Sequence, residues 1–566
     1  MTPIDPFLQR THIAYFSMEI ALRSEMRTYS GGLGVLAGDT ARSCADLELP
    51  VVFVTLVSRS GYFQQAIDPA GRQTEREDRW DPAIWSVPLG AMVAVQIEKR
   101  EVWIRPWLYI YTCPLGHSIP ILLLDTDLEE NGENDRQITH DLYGRDEAYR
   151  LKQEIVLGIG GVRVLQALGF SIHTYHLNEG HAALLTIELL HRFRQPVLGL
   201  MPGESAYDVP RVRNLCIFTT HTPVEAGHDR FSYDMVGRIL EDLIEIDELK
   251  RLGGSDRLNM TRLALELSGY VNGVARRHAE TANHMFPGFH IHAITNGVHV
   301  GMWTHDSFAR LYQASYPHWG HEPEVLVRAD QLDDAAIWAA HCEAKKDLLA
   351  LIERQSGVVM DPDRPILAFA RRMTGYKRPT LLFADIDRLA AIAGRFPFQV
   401  VVAGKAHPHD GEGKRVIEEI NGHIRALKGT IPAVFLPNYD LDLAKALLAG
   451  ADLWLNTPQP PLEASGTSGM KAALNGVLNI GILDGWWIEA CIEGVTGWAI
   501  GRSGDAPSWS RDADSLYDKL EHVVLPLYYN DRARWIWMMK QAISKIASHF
   551  NSQRMMRRYA TEAYIR

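Results

Sequence analysis

The feature that most restricts the architecture of this chain is a recurrence. Short apolar and β-branched runs return along its whole length, each followed by a segment of helical period. In the first half they read "HIAYFSM", "LPVVFVTLV", "IPILLLDTD", "NLCIFTTH" and "IHAITNGV". In the second they read "PILAFARR", "FQVVVAGKA", "AVFLPNY", "DLWLNTP" and "VLNIGIL". Strands apolar on both faces belong to parallel sheets covered by helices on both sides. Two such sets, joined by a polar helical stretch around Asp330 to Glu353, predict an α/β chain of two doubly wound, Rossmann-like domains facing a cleft. Ligands in such sheets bind beyond the carboxyl ends of the strands.

A chain of 566 residues is too long for one core, which also points to at least two sizeable domains. Hydrophobic residues make up 46% and charged ones 22%, the balance of an ordinary globular protein. The net charge of −11 argues against a nucleic-acid partner, whose binding face would be basic. The opening "MTPIDPFLQRTHIAYFSMEI" lacks the basic-then-apolar order of a signal peptide. Apolar runs such as "IPILLL" are too short to span a bilayer. The five cysteines (Cys44, Cys113, Cys216, Cys342 and Cys491) form no CxxC pair. A reducing, cytoplasmic location with no membrane, no disulfide and no zinc cluster is expected.

Polar clusters fall after the predicted strands: "SGGLG" at 30–34, "TTHTP" at 219–223, "TNG" at 295–297 and "RRMTGYKR" at 371–378. The last supplies Arg371, Arg372, Lys377 and Arg378 within eight residues. Cations at a helix start oppose the helix dipole, so an anion such as phosphate explains them better than a solvated helix does. "GTSG" precedes Lys471 and offers backbone N–H groups at a helix start. It is no nucleotide P-loop, because Met470 separates Gly469 from Lys471 and Ala472 follows.

Histidines are frequent, but their spacing does not suit a metal. "HLNEGH" sets His176 and His181 five apart, off the i, i+4 face of an HExxH site. His221 and His228 have no carboxylate-rich ligand set beside them, so no metal is expected. No GxSxG elbow supports a serine hydrolase. A lone lysine between a glycine-rich turn and a buried strand can form a Schiff base or act as a charged clamp. Residue chemistry alone leaves both open.

Together these segments resemble the α-glucan phosphorylase family, which includes glycogen and maltodextrin phosphorylases, and are closest to its short bacterial and archaeal type. "EASGTSGMKAALNGVLNIGILDG" is similar to the family's pyridoxal-phosphate attachment segment, and "RRMTGYKR" to its phosphate-binding segment. "SGGLG", "HLNEGH", "TTHTPVEAGHDRF", "VNGVARRH", "TNGV", "VVAGKAHP" and "FLPNY" follow the family order from about Ile13 to Glu489.

The resemblance implies a GT-B-type glycosyltransferase that carries out reversible phosphorolysis of α-1,4-glucans to α-glucose 1-phosphate with retention. In that reading 1–300 is an N-terminal glucan-binding domain and 301–545 a C-terminal cofactor- and phosphate-binding domain. Residues 546–566 form a C-terminal helix packing back across both. Lys471 would carry pyridoxal 5'-phosphate covalently, and that cofactor's 5'-phosphate would assist proton transfer. Lys471, Arg372 and Lys377 would be catalytic. Arg371, Lys377, Tyr439, Gly466 and Thr467 would join Lys471 around the cofactor. Gly32, Leu33, His221, Asn296, Tyr376, Glu463, Ser465 and Gly466 would meet the substrates, an α-1,4-glucan and inorganic phosphate or glucose 1-phosphate. Self-association is left open.

The chain also departs from the long-form pattern. Thr374-Gly375 replaces a His-Glu pair and Ser468-Gly469 replaces Gly-Asn. Trp486 and Trp487 follow "LDG", where they could stack on sugar or pack at a domain edge. Two rival functions remain: a nucleotide-sugar-dependent glucan synthase of the same fold, and an inactive glucan-binding protein. Such synthases carry two acids eight positions apart in this region. Here Glu463 plus eight is Lys471.

Overall fold

A computed structural model describes residues 2–196, 205–224, 227–502, 504 and 506–565; Glu225 and Ala226 of the "TTHTPVEAGHDRF" segment lie outside them. Among these residues the strands gather into two large sheets and two small hairpins. The first large sheet has ten strands. Their spatial order is His292–Ala293, Tyr270–Gly273, Cys216–Thr219, Thr174–Asn178, Ile13–Ser17, Val51–Leu56, Ser118–Asp125, Arg100–Thr112 and Val87–Pro88, and Val93–Ile97 also pairs with Arg100–Thr112. The strands from His292–Ala293 to Ser118–Asp125 run parallel, with Ile13 opposite Val51 and Thr174.

The expected parallel pattern fails at one edge. Arg100–Thr112 pairs antiparallel with its neighbours, and burial alternates along part of it. One face of that strand meets solvent, as antiparallel edges allow. "IHAITNGV" also departs from expectation. Only His292 and Ala293 are strand, and the chain then turns away through Thr295, Asn296 and Gly297.

The second large sheet is parallel throughout. Its six strands run in the order Ala433–Leu436, Gln399–Ala403, Ile366–Ala370, Leu453–Asn456, Leu478–Ile482 and Gly497–Ile500. The predicted polar link at Asp330–Glu353 is mostly a long helix, Asp334–Ser356, whose buried face (Ile337, Ala344, Leu348, Ile352) belongs to the same hydrophobic cluster as this sheet.

Both faces of the central parallel strands of the first sheet are dry. Ala14, Phe16, Val52 and Val54 enter one apolar cluster, while Ile13, Tyr15, Val51 and Phe53 enter another. Alternate residues of one strand point to opposite faces, so continuous apolar runs follow directly from burial on both sides.

The predicted C-terminal helix is broken. A helix from Arg532 runs through Ala547, the chain turns, and a new helix starts at Ser552 with Asn551 as its cap. Ser552–Tyr559 lies against the helix Gly32–Asp46, with Ser552 Oγ 2.6 Å from Ser43 Oγ. Met555, Met556 and Tyr559 complete the apolar cluster on that face of the first sheet. The approach is close enough that a Cβ at Gly297 would run into the Asn551 carbonyl.

Polar bonds connect the two halves of the chain. Gln65 Nε2 donates to the Gly404 carbonyl at 2.9 Å, and Gln73 Nε2 to that of Ala406 at 2.8 Å. On the other side Thr295 Oγ1 donates to Glu489 at 2.9 Å. No described helix is long and apolar enough to cross a membrane.

Candidate active site

The carboxyl end of the strand Ile366–Ala370 delivers Arg371 and Arg372, and a single helical turn, Gly375–Lys377, follows. Two of the four cations expected to bind an anion converge on one carboxylate. Arg371 Nη2 and Lys377 Nζ both donate to Glu463 Oε2, at 2.8 and 2.6 Å. Arg371 Nε and Nη1 are buried and have no acceptor. Arg372 is exposed. Burial works against its charge, but Tyr62 and Glu19 outweigh that and raise its pKa. It forms no ion pair with any described residue.

Arg378 is the exception and a correction to the sequence reading. Its backbone is left-handed, with φ at +47°. Its guanidinium is spent on the Thr457 and Pro458 carbonyls, at 3.1 and 2.8 Å, and on Asp512 at 2.7 Å. This arginine ties the turn to the sheet and offers nothing to a ligand.

Glu463 is buried, and its carboxyl is held down at about 2. Burial alone would raise it, but Arg371 and Lys377 prevail. Its backbone N–H is donated to Asp484, 2.9 Å away. Asp484 also accepts from the Gly485 N–H at 2.9 Å and is pushed up to about 6 by burial. Sequence reasoning did not single out Asp484. Its signal was its place in "LDG", just after a buried strand.

Lys471 lies in the short helix Ser468–Ala473 and is buried. Its Nζ sits 4.0 Å from the centre of the Trp303 ring, and no described carboxylate is within ion-pair distance of it. Burial pulls the ammonium down to about 8; Asp39 resists and Arg42 assists. Asp39 is itself fixed by Trp303 Nε1 at 2.8 Å. Asn475, one turn on, donates to the Trp303 carbonyl at 2.9 Å and accepts from the His305 N–H at 2.7 Å. Trp303, Asp39 and Asn475 were not predicted as site residues, because each comes from a different part of the chain.

The remaining expected residues have the following surroundings. Gly32 begins the helix Gly32–Asp46 and is exposed, with Leu33 beside it. A Cβ on neighbouring Gly31 would lie 3.2 Å from Arg372 Nη2, which brings the glycine turn to the arginine. Glu19 holds that turn, accepting from the N–H groups of Ser30 and Gly31 at 2.6 and 3.1 Å. The Tyr376 ring lies 4.4 Å from Lys377 Nζ. Tyr439 is within electrostatic reach of Arg371, and burial lifts its phenol well above the usual range.

Gly466 adopts φ +75°, which a side chain would strain. Ser465 is buried beside it, and its carbonyl accepts from the Trp486 N–H at 2.9 Å. Thr467 occupies the N-cap position of the Lys471 helix without a side-chain capping bond. His221 Nε2 is 2.6 Å from Asn178 Oδ1, and burial drops its imidazole to about 4. The Asn296 Oδ1 is buried without a donor. Trp486 and Trp487 are both buried and pack on each other, with centroids 5.2 Å apart, so packing explains them. A Cβ at Gly469 would crowd Trp486, which accounts for the small residue there.

The sequence matches the family model for carbohydrate phosphorylase over residues 247–496. It is 37% identical to the maltodextrin phosphorylase of Thermococcus litoralis, over 98% of this chain and 70% of that protein. The chain belongs to the carbohydrate phosphorylase family. To the phosphorylase named as glycogen phosphorylase in Aquifex aeolicus it is 33% identical, over 98% of this chain and 86% of the relative. A family member of similar size is an uncharacterised protein of Methanocaldococcus jannaschii. It is 30% identical and 99% covered. Within this phosphorylase family the matched region takes in the Arg371–Lys377 turn, Glu463 and Lys471.

Proposed function

We propose that this phosphorylase cleaves α-1,4-glucans with inorganic phosphate, releasing α-glucose 1-phosphate with retention, in a GT-B-type cleft. Residues 1–300 would form the glucan-binding domain and 301–545 the cofactor- and phosphate-binding domain, with 546–566 joining them. The names of its relatives, glycogen and maltodextrin phosphorylase, support this substrate class, and its five free cysteines suit a cytoplasmic location. The observation that carries the reading is a pair of cations, Arg371 and Lys377, converging on the buried, ionised Glu463, with Arg372 beside them in the chain and without an ion pair among the described residues.

The site fits pyridoxal 5'-phosphate. Lys471 presents an amine in an aromatic, dry setting that favours its neutral, nucleophilic form. The unpartnered Nε and Nη1 of Arg371 are donors suited to a phosphate. Lys471 would hold the cofactor, with Arg371, Lys377, Tyr439, Gly466 and Thr467 around it. When bound, the cofactor supplies a phosphate that can exchange a proton with the substrate phosphate.

The protein's own groups do the rest. Arg372 and Lys377 neutralise substrate phosphate, so that two dianions can approach each other. The N–H groups of the glycine turn, at Gly32, face the same oxyanion. Glu463, Ser465, Gly466, His221, Asn296, Leu33 and Tyr376 position the glucosyl unit. His221, neutral near pH 7, accepts or donates a hydrogen bond without adding charge. Closure of the two halves excludes water from the activated sugar.

The synthase reading lacks its second acid, because the position eight beyond Glu463 is Lys471. A merely glucan-binding protein would not require buried Lys471 or the bare donors of Arg371. Product analysis under three conditions tests the proposal. Glucan alone should release almost no glucose. Added phosphate should yield α-glucose 1-phosphate, and arsenate should yield free glucose. Rapid phosphate-independent hydrolysis, or a requirement for a nucleotide sugar, overturns it.

A further inference from the structure

Glu154 lies near the end of the helix Glu147–Ile155 in the core of the first half and has no exposed surface. Neither of its carboxylate oxygens meets a donor. The side chain that acts on it most strongly is Asp229, a second carboxylate beside it. Two ionised carboxylates cannot remain in contact in a dry site, because each loses its hydration and repels the other. One proton between them removes both penalties.

The groups facing the pair neutralise one negative charge. Arg150, on the same helix, acts on both acids through its charge from beyond ion-pair distance, and its buried Nη1 has no acceptor. His181, from the turn Gly180–Ala182, places Nε2 3.4 Å from Asp229 Oδ2. His228 stands next to Asp229 in the chain and acts on it too. Burial, then Asp229, pushes the Glu154 carboxyl well above the ordinary range, while Asp229 stays below its own, chiefly through Arg150 and His181 acting against burial.

This cluster leads to the cleft. The Arg150 guanidinium lies 4.3 Å from the Tyr143 ring centre, and the His181 ring 5.6 Å from it. Tyr143 has a left-handed backbone, φ +57°, so its neighbours must hold it in place. Its hydroxyl donates to Glu19 Oε1 at 3.1 Å. The other Glu19 oxygen gathers the glycine turn beside Arg372. The Tyr143 carbonyl lies 3.4 Å from His407 Nε2, on the opposite half.

We propose that Glu154 and Asp229 share one proton and act as a positioning unit, whose single negative charge holds Arg150 and His181 against Tyr143 and so fixes Glu19 and the glycine turn at the phosphate side of the cleft. The shared proton stands independently of the reaction. The positioning role rests on the phosphorolysis reading.

Glu154→Gln keeps a donor toward Asp229 but cannot ionise. The infrared difference spectrum between the wild-type full chain and this variant should show a protonated-carboxyl stretch in the wild type only. Stability supplies a second reading. A raised carboxyl favours folding below its unfolded pKa, and that contribution disappears as pH climbs through the folded one. Wild type should therefore lose Tm relative to Glu154→Gln as pH climbs above the ordinary carboxylate range toward the raised folded value. Absence of the band, or a Tm difference flat with pH, overturns the shared proton.

Asp229→Asn tests positioning. It leaves Arg150 and His181 without their partner and should raise the KM for phosphate by about tenfold, with the KM for glucan changed by less than about twofold. Unchanged phosphate KM in a folded Asp229→Asn protein overturns the positioning role. If wild type shows no phosphorolysis at all, the functional reading fails, and the infrared and stability outcomes still decide the shared proton.

Discussion

Lys471 and Trp303 meet face to face: the lysine Nζ stands 4.0 Å from the indole centre, and the indole N–H is donated away to Asp39. An ammonium over a ring face gains cation–π attraction, yet burial shifts this lysine toward its neutral form. The contact orients the amine without locking in its charge. It also joins the two halves of the polypeptide, since Asp39 belongs to the helix Gly32–Asp46 and Lys471 to Ser468–Ala473.

The first prediction follows from that amine. Borohydride reduction should fix pyridoxal phosphate to the peptide containing Lys471, and Lys471→Ala should lose about three orders of magnitude or more of activity. With the lysine at about 8, uptake of the cofactor by stripped protein should accelerate as pH rises toward 8 and level off above it. A label on another lysine, in peptide mass mapping, refutes the assignment.

A second prediction separates phosphate from sugar. Arg372→Ala removes a bare guanidinium from the cleft and should raise the KM for phosphate by roughly ten- to a hundredfold. The KM for maltooligosaccharides should move much less. Steady-state kinetics with each substrate varied in turn shows which binding step has been lost.

Glu463→Gln should behave in the opposite sense. Arg371 and Lys377 lose their internal counter-ion, so phosphate should bind as well or better, while kcat falls by roughly ten- to a hundredfold for want of the sugar contact. Glu463 has a folded pKa of about 2 against 4.5. Its stabilisation is present above about 4.5 and is lost as pH falls toward 2. Acid denaturation of the variant should be flatter in that window.

Three buried histidines make stability fall earlier on the acid side. Burial holds His176 at about 3 and His221 and His278 at about 4. A depressed histidine stabilises the fold above its unfolded value, near 6.5, and that contribution is lost as pH drops through the folded value. Urea titrations should show stability declining from about pH 6.5 to pH 4 with proton uptake on unfolding. His278→Gln should flatten the decline.

How legible was this architecture? The second sheet was readable because each of the five predicted strands is apolar and parallel. The strands Thr174–Asn178 and Tyr270–Gly273 were not, since "TYHLN" and "YVNG" look polar. Their polar side chains are satisfied far away: His176 by Thr219 and Tyr564, and Asn272 by Thr219 and Tyr559. No local pattern encodes such partners. The charged strand Arg100–Thr112 contains Pro106 and was missed for the same reason as most edges. It carries a polar face and is not doubly buried.

In the candidate site, Arg371, Arg372, Lys377, Glu463 and Lys471 stood out because their chemistry is concentrated in two short segments. Arg378 shared the composition of its neighbours but not their role. Only its left-handed backbone, which turns the side chain toward Thr457 and Asp512, distinguishes it. Glu19, Asp39 and Trp303 act across long sequence distances, and a linear pattern cannot announce them.

The break after Phe550 has a consequence for biosynthesis. Tyr564 reaches His176 from 388 positions downstream. At the ordinary pace of a ribosome, about 5–20 residues per second, the first sheet waits roughly 20–80 seconds for that hydroxyl. Throughout this interval the apolar face later covered by Met555 and Met556, and the imidazole later met by Tyr564, stand open to water and to other nascent chains. A stretch translated late is thus the one that covers this face of the sheet begun first. Closure of that face waits for translation of 552–564, and a product interrupted before it would present a sticky, unfinished surface to chaperones and proteases.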